Sequence, residues 1–224
     1  MRSRRVGACD TILTMKDHSH AVVATATALL LACGLPAGAQ TKPPKATATV
    51  LPTAVAPTAP FDQTLKLQGI TFQVTSANAG SVNELKILPR GLKIDNTPIV
   101  RSIDGQITRA EVADLNVDGS PELYVYVVSA GSGSYGSLVA YGANERKSLS
   151  EITLPPVTDD AKAARGYSGH DEFAVVESRL VRRFPIYKDG DSNAAPSGGV
   201  RQLQYKLHKG EATWQLRLDR VVEY

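Results

Sequence analysis

The chain has 224 residues, with 25 lysines and arginines against 22 acidic residues and a formal net charge of +3. A charge this close to balance, with no block of basic residues, argues against a nucleic-acid-binding protein. The two cysteines, Cys9 and Cys33, lie near the N-terminus, so the rest of the chain has no thiol for a disulfide or a thiolate metal site.

Residues 1–39 are predicted to be a secretory signal peptide. A basic and polar start leads into the apolar run from Ala21 to Leu35, which is shorter than the ~20 residues of a membrane-spanning helix. Cleavage after Ala39 is favoured over lipid attachment at Cys33, which lies in a stretch similar to a lipobox. Translation from Met15 would leave residues 1–14 out of the protein. Both processing routes predict a periplasmic protein.

Residues 40–60 are rich in proline, alanine and threonine, a composition typical of an extended linker that buries no face. Residues 61–224 have the length of one domain with a core of its own.

Alternating apolar and polar residues dominate this domain and predict short antiparallel strands. The alternation begins near Leu65 and runs through Leu85 and Ile87 to Leu92 and Ile94. A tight hairpin is predicted around Asp104-Gly105.

Residues 123–128, LYVYVV, are apolar on both faces, which predicts a strand covered on both sides. One long strand is predicted over Phe173 to Tyr187, and a final hairpin turns at Lys209-Gly210-Glu211. Only residues 159–165 have helical character. The pattern predicts an all-β fold, an antiparallel β-sandwich of short strands, with a partly closed barrel as the alternative.

An acidic loop precedes the doubly apolar strand. Asp114, Asn116 and Asp118 alternate, glycine follows at 119, and Glu122 stands at the ninth position. Oxygen ligands in this pattern suit Ca²⁺, although a strand residue at the twelfth position excludes an EF-hand. The alternative is a metal-free turn held by bonds from these side chains to the backbone.

A second loop, Gly131-Ser132-Gly133-Ser134-Tyr135-Gly136, follows the same strand and matches the letters GxGxxG. In a dinucleotide-binding fold these glycines open a helix, whereas here a strand follows, so that interpretation fails. Tyrosine, serine and glycine together are typical of protein-recognition loops. An ordinary surface hairpin is the alternative.

Two further positions receive structural predictions. His170 is expected to make structural hydrogen bonds rather than bind a metal, because no second histidine is near it. Of Arg182 and Arg183, one is expected to pair with an acid and the other to be solvated.

Three blocks carry a resemblance to a known family: NVDGSPELYVYVVSAGSGSYGSLVAY, GHDEFAVVESRLVRRFPIYK and GGVRQLQYKLHKGEATW. Together they resemble the periplasmic inhibitors of invertebrate-type (i-type) lysozyme, the PliI-like family. The resemblance implies a non-enzymatic β-sandwich without a catalytic cofactor, whose partner is an i-type lysozyme. It also implies that Ser132 and Tyr135 enter the lysozyme cleft, on a loop shaped by Gly131, Gly133 and Gly136. Homodimers occur in the family, although no feature of this sequence requires one.

Two other functions stay open at this point. A calcium-binding β module with a structural or adhesive role in the cell envelope would depend on the acidic loop. A small envelope hydrolase would need Ser132 or Ser134 to act with His170 and Asp171.

Overall fold

The computed structural model of this protein describes residues 59–211 and 213–224. The predicted signal peptide, Cys33 and nearly all of the predicted linker lie outside these residues. No helix within them has the length and apolar character that crossing a membrane would require.

The described residues form twelve strands in two sheets, so the all-β prediction is confirmed. The first sheet, in the order β1-β2-β3-β4, contains β1 Phe61–Leu67, β2 Ile70–Ser76, β3 Val82–Arg90 and β4 Ile99–Asp104. The second, in the order β5-β6-β7-β8-β12-β11-β10-β9, contains β5 Gln106–Ala113, β6 Glu122–Val128, β7 Gly136–Asn144, β8 Ser148–Thr153, β9 Glu172–Val176, β10 Arg179–Pro185, β11 Val200–Lys209 and β12 Trp214–Glu223. Neighbouring strands are antiparallel except β8 and β12, which form a short parallel pair.

A short helical segment covers one end of the second sheet. It consists of a 3-10 turn, Val157–Asp159, and the single-turn helix α1, Ala161–Ala164. Asp160 caps α1 by accepting bonds from the backbone amides of Lys162 and Ala163. Helical structure therefore falls where the sequence predicted it.

Strand β6 lies between two hydrophobic cores. Leu123, Val125 and Val127 belong to the core between the first sheet and β5 to β7, while Tyr124 and Tyr126 belong to the core enclosed by the rest of the second sheet. All five side chains are buried, which confirms the prediction of a strand covered on both faces. Packing on both faces fixes β6, and with it the two loops at its ends.

The second sheet curls so far that its two edge strands approach each other. The Arg109 side chain of β5 donates to the backbone oxygen of Phe173 in β9, and the Val175 amide donates to Glu111 at 2.9 Å. Side chains therefore bridge a seam that backbone hydrogen bonds would close in a complete barrel. The molecule combines a sandwich, at the first sheet, with a nearly closed barrel.

Three local predictions are wrong. Asp104-Gly105 is not a hairpin, because β4 pairs with β3 and β5 with β6, so the chain crosses here from one sheet to the other. The predicted strand over Phe173 to Tyr187 is two strands, β9 and β10, joined at Glu177, which has a φ of 54°. The alternation at Leu92 and Ile94 lies beyond the end of β3.

Candidate protein-recognition site

The glycine-rich loop joins the ends of β6 and β7, which stay paired up to Val128 and Gly136. Its backbone closes on itself: the Ser129 amide donates to Tyr135 O at 2.9 Å, and the Tyr135 amide donates to Ser129 Oγ at 3.1 Å. Within this ring the Ser134 amide donates to Gly131 O at 3.2 Å. The loop therefore has a defined shape that does not depend on a partner.

The side chains of Ser132 and Tyr135 face outward. Ser132 is exposed and Tyr135 is 48% exposed. Within the part of the chain that the structure describes, no group hydrogen bonds to either hydroxyl. Both hydroxyls are therefore available to a binding partner. Ser134 is half-buried, and its hydroxyl lies 3.5 Å from Gly131 O.

The glycines of the loop make room for its neighbours. A Cβ on Gly133 would lie 2.5 Å from the Tyr135 ring, and a Cβ on Gly136 would lie 2.5 Å from Cβ of Asp171. Side chains at these positions would displace the tyrosine or separate the loop from the strand beneath it. Gly131 has a φ of 146°, a conformation that side-chain-bearing residues rarely adopt.

A buried ion pair supports the base of the loop. Arg182 Nε lies 2.6 Å from Oδ1 of Asp171, and the two side chains are 6% and 0% exposed. Asp171 Oδ2 accepts bonds from the Gly136 amide and the Tyr167 hydroxyl, each at 2.7 Å. The first residue of β7 is thereby bonded to a carboxylate that the fold itself fixes.

Tyr167 links this ion pair to the exposed tyrosine. Arg182 donates to the Tyr167 hydroxyl at 2.7 Å, and the Tyr167 ring meets the Tyr135 ring edge-on, with centroids 5.8 Å apart. Burial raises the pKa of Tyr167, and its bond to Asp171 raises it further, so the phenol stays a donor. Burial opposes the charge on Arg182, but its hydrogen bond to Asp171 gives it a raised pKa.

The predicted pairing of one arginine with an acid is confirmed, and His170 makes the predicted structural hydrogen bonds. Arg182 is the paired arginine, whereas Arg183 is exposed and bonds Gln202. The His170 amide donates to Gly133 O at 2.7 Å, and its Nε2 lies 3.2 Å from Asn193 Oδ1. No local pattern in the sequence connects Asp171 to the loop. The available signal was Arg182, a charge at an inward position of an apolar strand, which needs a buried acid nearby.

The geometry does not assemble the hydrolase that the sequence left open. The His170 ring bonds Asn193, and Asp171 is committed to Arg182, Tyr167 and the Gly136 amide. No bond within the described residues joins His170 to the hydroxyl of Ser132 or Ser134. A nucleophile-base pair, which serine hydrolysis requires, is therefore not formed here.

The acidic loop brings three of its four predicted ligands together. Single carboxylate oxygens of Asp114, Asp118 and Glu122 all lie within 4.8 Å of one another. Asn116 instead donates from Nδ2 to Asp118 Oδ2 at 2.7 Å. The same carboxylates hold the turn: Asp114 accepts from the Asp118 and Gly119 amides at 3.0 and 2.9 Å, and Asp118 Oδ1 accepts from the Ser120 amide. The loop thus has features of both predicted structures, the hydrogen-bonded turn and the cation site.

Glu122 is the buried member of this cluster. Its Oε2 accepts from the Leu115 amide at 2.8 Å. Burial raises the pKa of Glu122 to about 8, and the negative charges of Asp114 and Asp118 raise it as well. Near neutral pH, a proton on Glu122 or a cation in its place offsets the repulsion between these three carboxylates.

Fold and site together describe an all-β protein with a preformed, exposed loop. Two hydroxyls on this loop have no hydrogen-bond partner among the described residues. Residues 93–167, about a third of the chain, match the family model described as periplasmic lysozyme inhibitor of I-type lysozyme. The predicted resemblance is confirmed over these residues, which include both loops and Tyr167 but not the two later blocks. Neither the curated proteins nor the solved structures gave a match.

Proposed function

We propose that this protein is a periplasmic inhibitor of i-type lysozyme that inserts the loop Gly131–Gly136 into the active-site cleft of the enzyme. One observation carries the proposal: the exposed Ser132 and Tyr135 lie on a rigidly supported loop, within the segment that matches the inhibitor family. The predicted leader at residues 1–39 would export the chain to the compartment where such an inhibitor acts. Lipid attachment at Cys33 and homodimer formation stay predictions.

The chemistry of the target suits the two hydroxyls. A lysozyme cleft presents a protonated carboxylic acid and a carboxylate on either side of the scissile bond. A hydroxyl can donate to the carboxylate and accept from the acid, and Ser132 and Tyr135 supply one hydroxyl each. The Tyr135 ring would also fill space that a sugar ring occupies. Peptidoglycan would thereby be excluded without any reaction.

The support of the loop matters for affinity. Ordering a flexible loop on binding costs about 0.5–1.5 kcal/mol for each immobilised side chain. Here the loop is already closed by its own backbone bonds and attached to Asp171. Most of the free energy needed to order the loop is therefore spent when the protein folds, before binding. A small loop tip can then bind tightly.

The test is inhibition of cell-wall lysis by purified i-type, c-type and g-type lysozymes. We expect the protein to inhibit the i-type enzyme. Tyr135→Ala should raise the inhibition constant about 30-fold or more, the effect of losing an anchor worth 2 kcal/mol. Tyr135→Phe separates the hydroxyl from the ring, and Ser132→Ala removes the second hydroxyl.

Ser178→Ala is the matched control, because Ser178 is exposed in the turn at the other end of β9. It should inhibit as well as the unmodified protein, and all variants should keep the same melting temperature. Unimpeded lysis by all three lysozymes would overturn the proposal. Full potency in both alanine variants of the loop would place the binding surface elsewhere.

Calcium binding is the second candidate function. It is favoured by the convergence of Asp114, Asp118 and Glu122 on one point. Such an ion would be structural, because it would hold the turn before β6, whereas the recognition loop, Gly131–Gly136, follows β6.

A further inference from the structure

The exposed loop between β10 and β11 lies beside the recognition loop and outside the segment that matches the inhibitor family. We propose that this second loop, residues 188–199, is a flanking half of the lysozyme-binding surface and that Asn193 joins it to Ser132. The proposal rests on the function proposed above. It adds the part of the surface that would contact the wall of the cleft beside the inserted tip.

Asn193 bonds three other segments. Its Nδ2 donates to the backbone oxygen of Ser132, and its own backbone oxygen accepts from the Tyr187 hydroxyl at 2.9 Å. Its Oδ1 lies 3.2 Å from Nε2 of His170. Because the amide nitrogen of Asn193 is used toward Ser132, the proton in the last contact belongs to the histidine. The link thus reaches Ser132, one of the two loop residues whose hydroxyls are proposed to enter the cleft.

The second loop has a fixed shape of its own. Asp191 accepts from the backbone amides of Lys188 and Ser197 at 2.7 and 2.8 Å and from the Ser197 hydroxyl at 2.9 Å. These bonds lower the pKa of Asp191, so it stays charged and keeps them. The loop is closed by one internal carboxylate, much as the acidic loop is.

Its outer surface suits contact with another protein. Ala194, Ala195 and Pro196 are exposed at the tip, next to Asn193. Alanine and proline lose almost no side-chain entropy when they are buried, and they let a partner approach the backbone closely. Energetically near-neutral contacts around a binding hot spot exclude water from it, and these residues could supply such contacts.

The first test blocks this surface without altering its folding. Ala194→Arg places a long charged side chain at the exposed tip, while Ser178→Arg places the same side chain at the other end of β9. We expect Ala194→Arg to raise the inhibition constant at least tenfold and Ser178→Arg to leave it unchanged. Equal potency of the two variants would overturn the second loop as part of the interface.

The second test cuts the link. Asn193→Ala and Asn193→Asp both remove the donor to Ser132 but leave the bonds of Asp191 intact. Without this bond the tip of the recognition loop would be less ordered before binding. We therefore expect the association rate constant to fall several-fold, with little change in the dissociation rate constant. Hydrogen exchange at the amides of Ser134 and His170 should become at least tenfold faster.

The outcomes separate this inference from the proposed function. If Tyr135→Ala loses potency while Ala194→Arg and both Asn193 variants keep it, the second loop is excluded and the inhibitor function stands. If the unmodified protein inhibits no lysozyme, the function and this interface both fail. Unchanged hydrogen exchange in both Asn193 variants would show that Asn193 does not order the recognition loop.

Discussion

The loop before strand β6 is held mainly by its own carboxylates, with one bond from Gln68, whereas the loop after it combines its own bonds with bonds to side chains distant in the sequence. In the acidic loop, Asp114 and Asp118 accept the backbone amides of their own turn. In the recognition loop, Asp171 and Asn193 come from distant positions in the sequence. Ser132 and Tyr135 take part in this support through their backbones and the Tyr135 ring, while their hydroxyls have no hydrogen-bond partner among the described residues. Distant side chains thus help to position the loop that is proposed to enter the lysozyme cleft.

The largest loss of stability is expected at the buried ion pair beneath the recognition loop. Arg182→Ala leaves Asp171 charged and buried without its partner, which costs about 3–5 kcal/mol in proteins. We expect urea unfolding to show a loss of this size. Asp171→Asn, which keeps an oxygen for the Gly136 amide, should unfold at intermediate urea concentrations if the alanine variant does not fold.

Arg101→Ala is the control for this prediction. Arg101 lies 2.8 Å from Glu151, but the two side chains are 38% and 52% exposed. Exposed pairs contribute about 0–1 kcal/mol, so this variant should be almost as stable as the unmodified protein. Similar losses in Arg101→Ala and Arg182→Ala would show that the buried pair contributes no more to stability than an exposed one.

Much of the fold was predictable because alternation and turn residues are local signals. The strand from Glu122 to Val128 and the loop after it follow from apolar residues on both faces and from glycine, serine and tyrosine. The crossing at Gly105 was missed because its cause is long-range: a Cβ there would lie 2.3 Å from the backbone oxygen of Val128. The same glycine in a free peptide would favour a hairpin.

The support of the site was unpredictable for the same reason. Asp171 is 35 residues from Gly136 in the sequence, and Asn193 is 61 residues from Ser132. No periodicity within one strand indicates which distant side chain will lie beneath it. The exposed residues of the loop could be chosen from composition and resemblance, but the residues that position them required the fold.

Glu122 gives the next largest expected effect, at the acidic loop. Its pKa is raised to about 8 in the folded protein from an ordinary value of 4.5, so the folded state holds a proton that the unfolded state has lost. Stability should therefore fall as pH rises from about 4.5 to about 8, by up to about 1.4 kcal/mol per unit and by a few kcal/mol in all. Urea unfolding in a chelating buffer measures this slope.

Glu122→Gln is the matched variant, since an amide of nearly the same shape does not titrate. We expect its stability to change little over the same pH window. Equal pH profiles for the two proteins would contradict a raised pKa at this carboxyl group. This change should leave inhibition intact, because it affects the loop at the other end of β6 from the recognition loop.

Calcium binding at the acidic loop is expected to change the stability of the protein least. If Ca²⁺ binds at Asp114, Asp118 and Glu122, it replaces the proton on Glu122, so its effect should be larger at pH 8 than at pH 5. At about ten times the dissociation constant, the ion would add about 1.4 kcal/mol, a rise of about 3–6 °C in melting temperature. Asp118→Asn should abolish the rise, and Asp104→Asn, whose exposed side chain has no hydrogen-bond or ion-pair partner among the described residues, should not. A melting temperature that is the same in Ca²⁺ and in chelator would mean that hydrogen bonds alone hold the loop before β6.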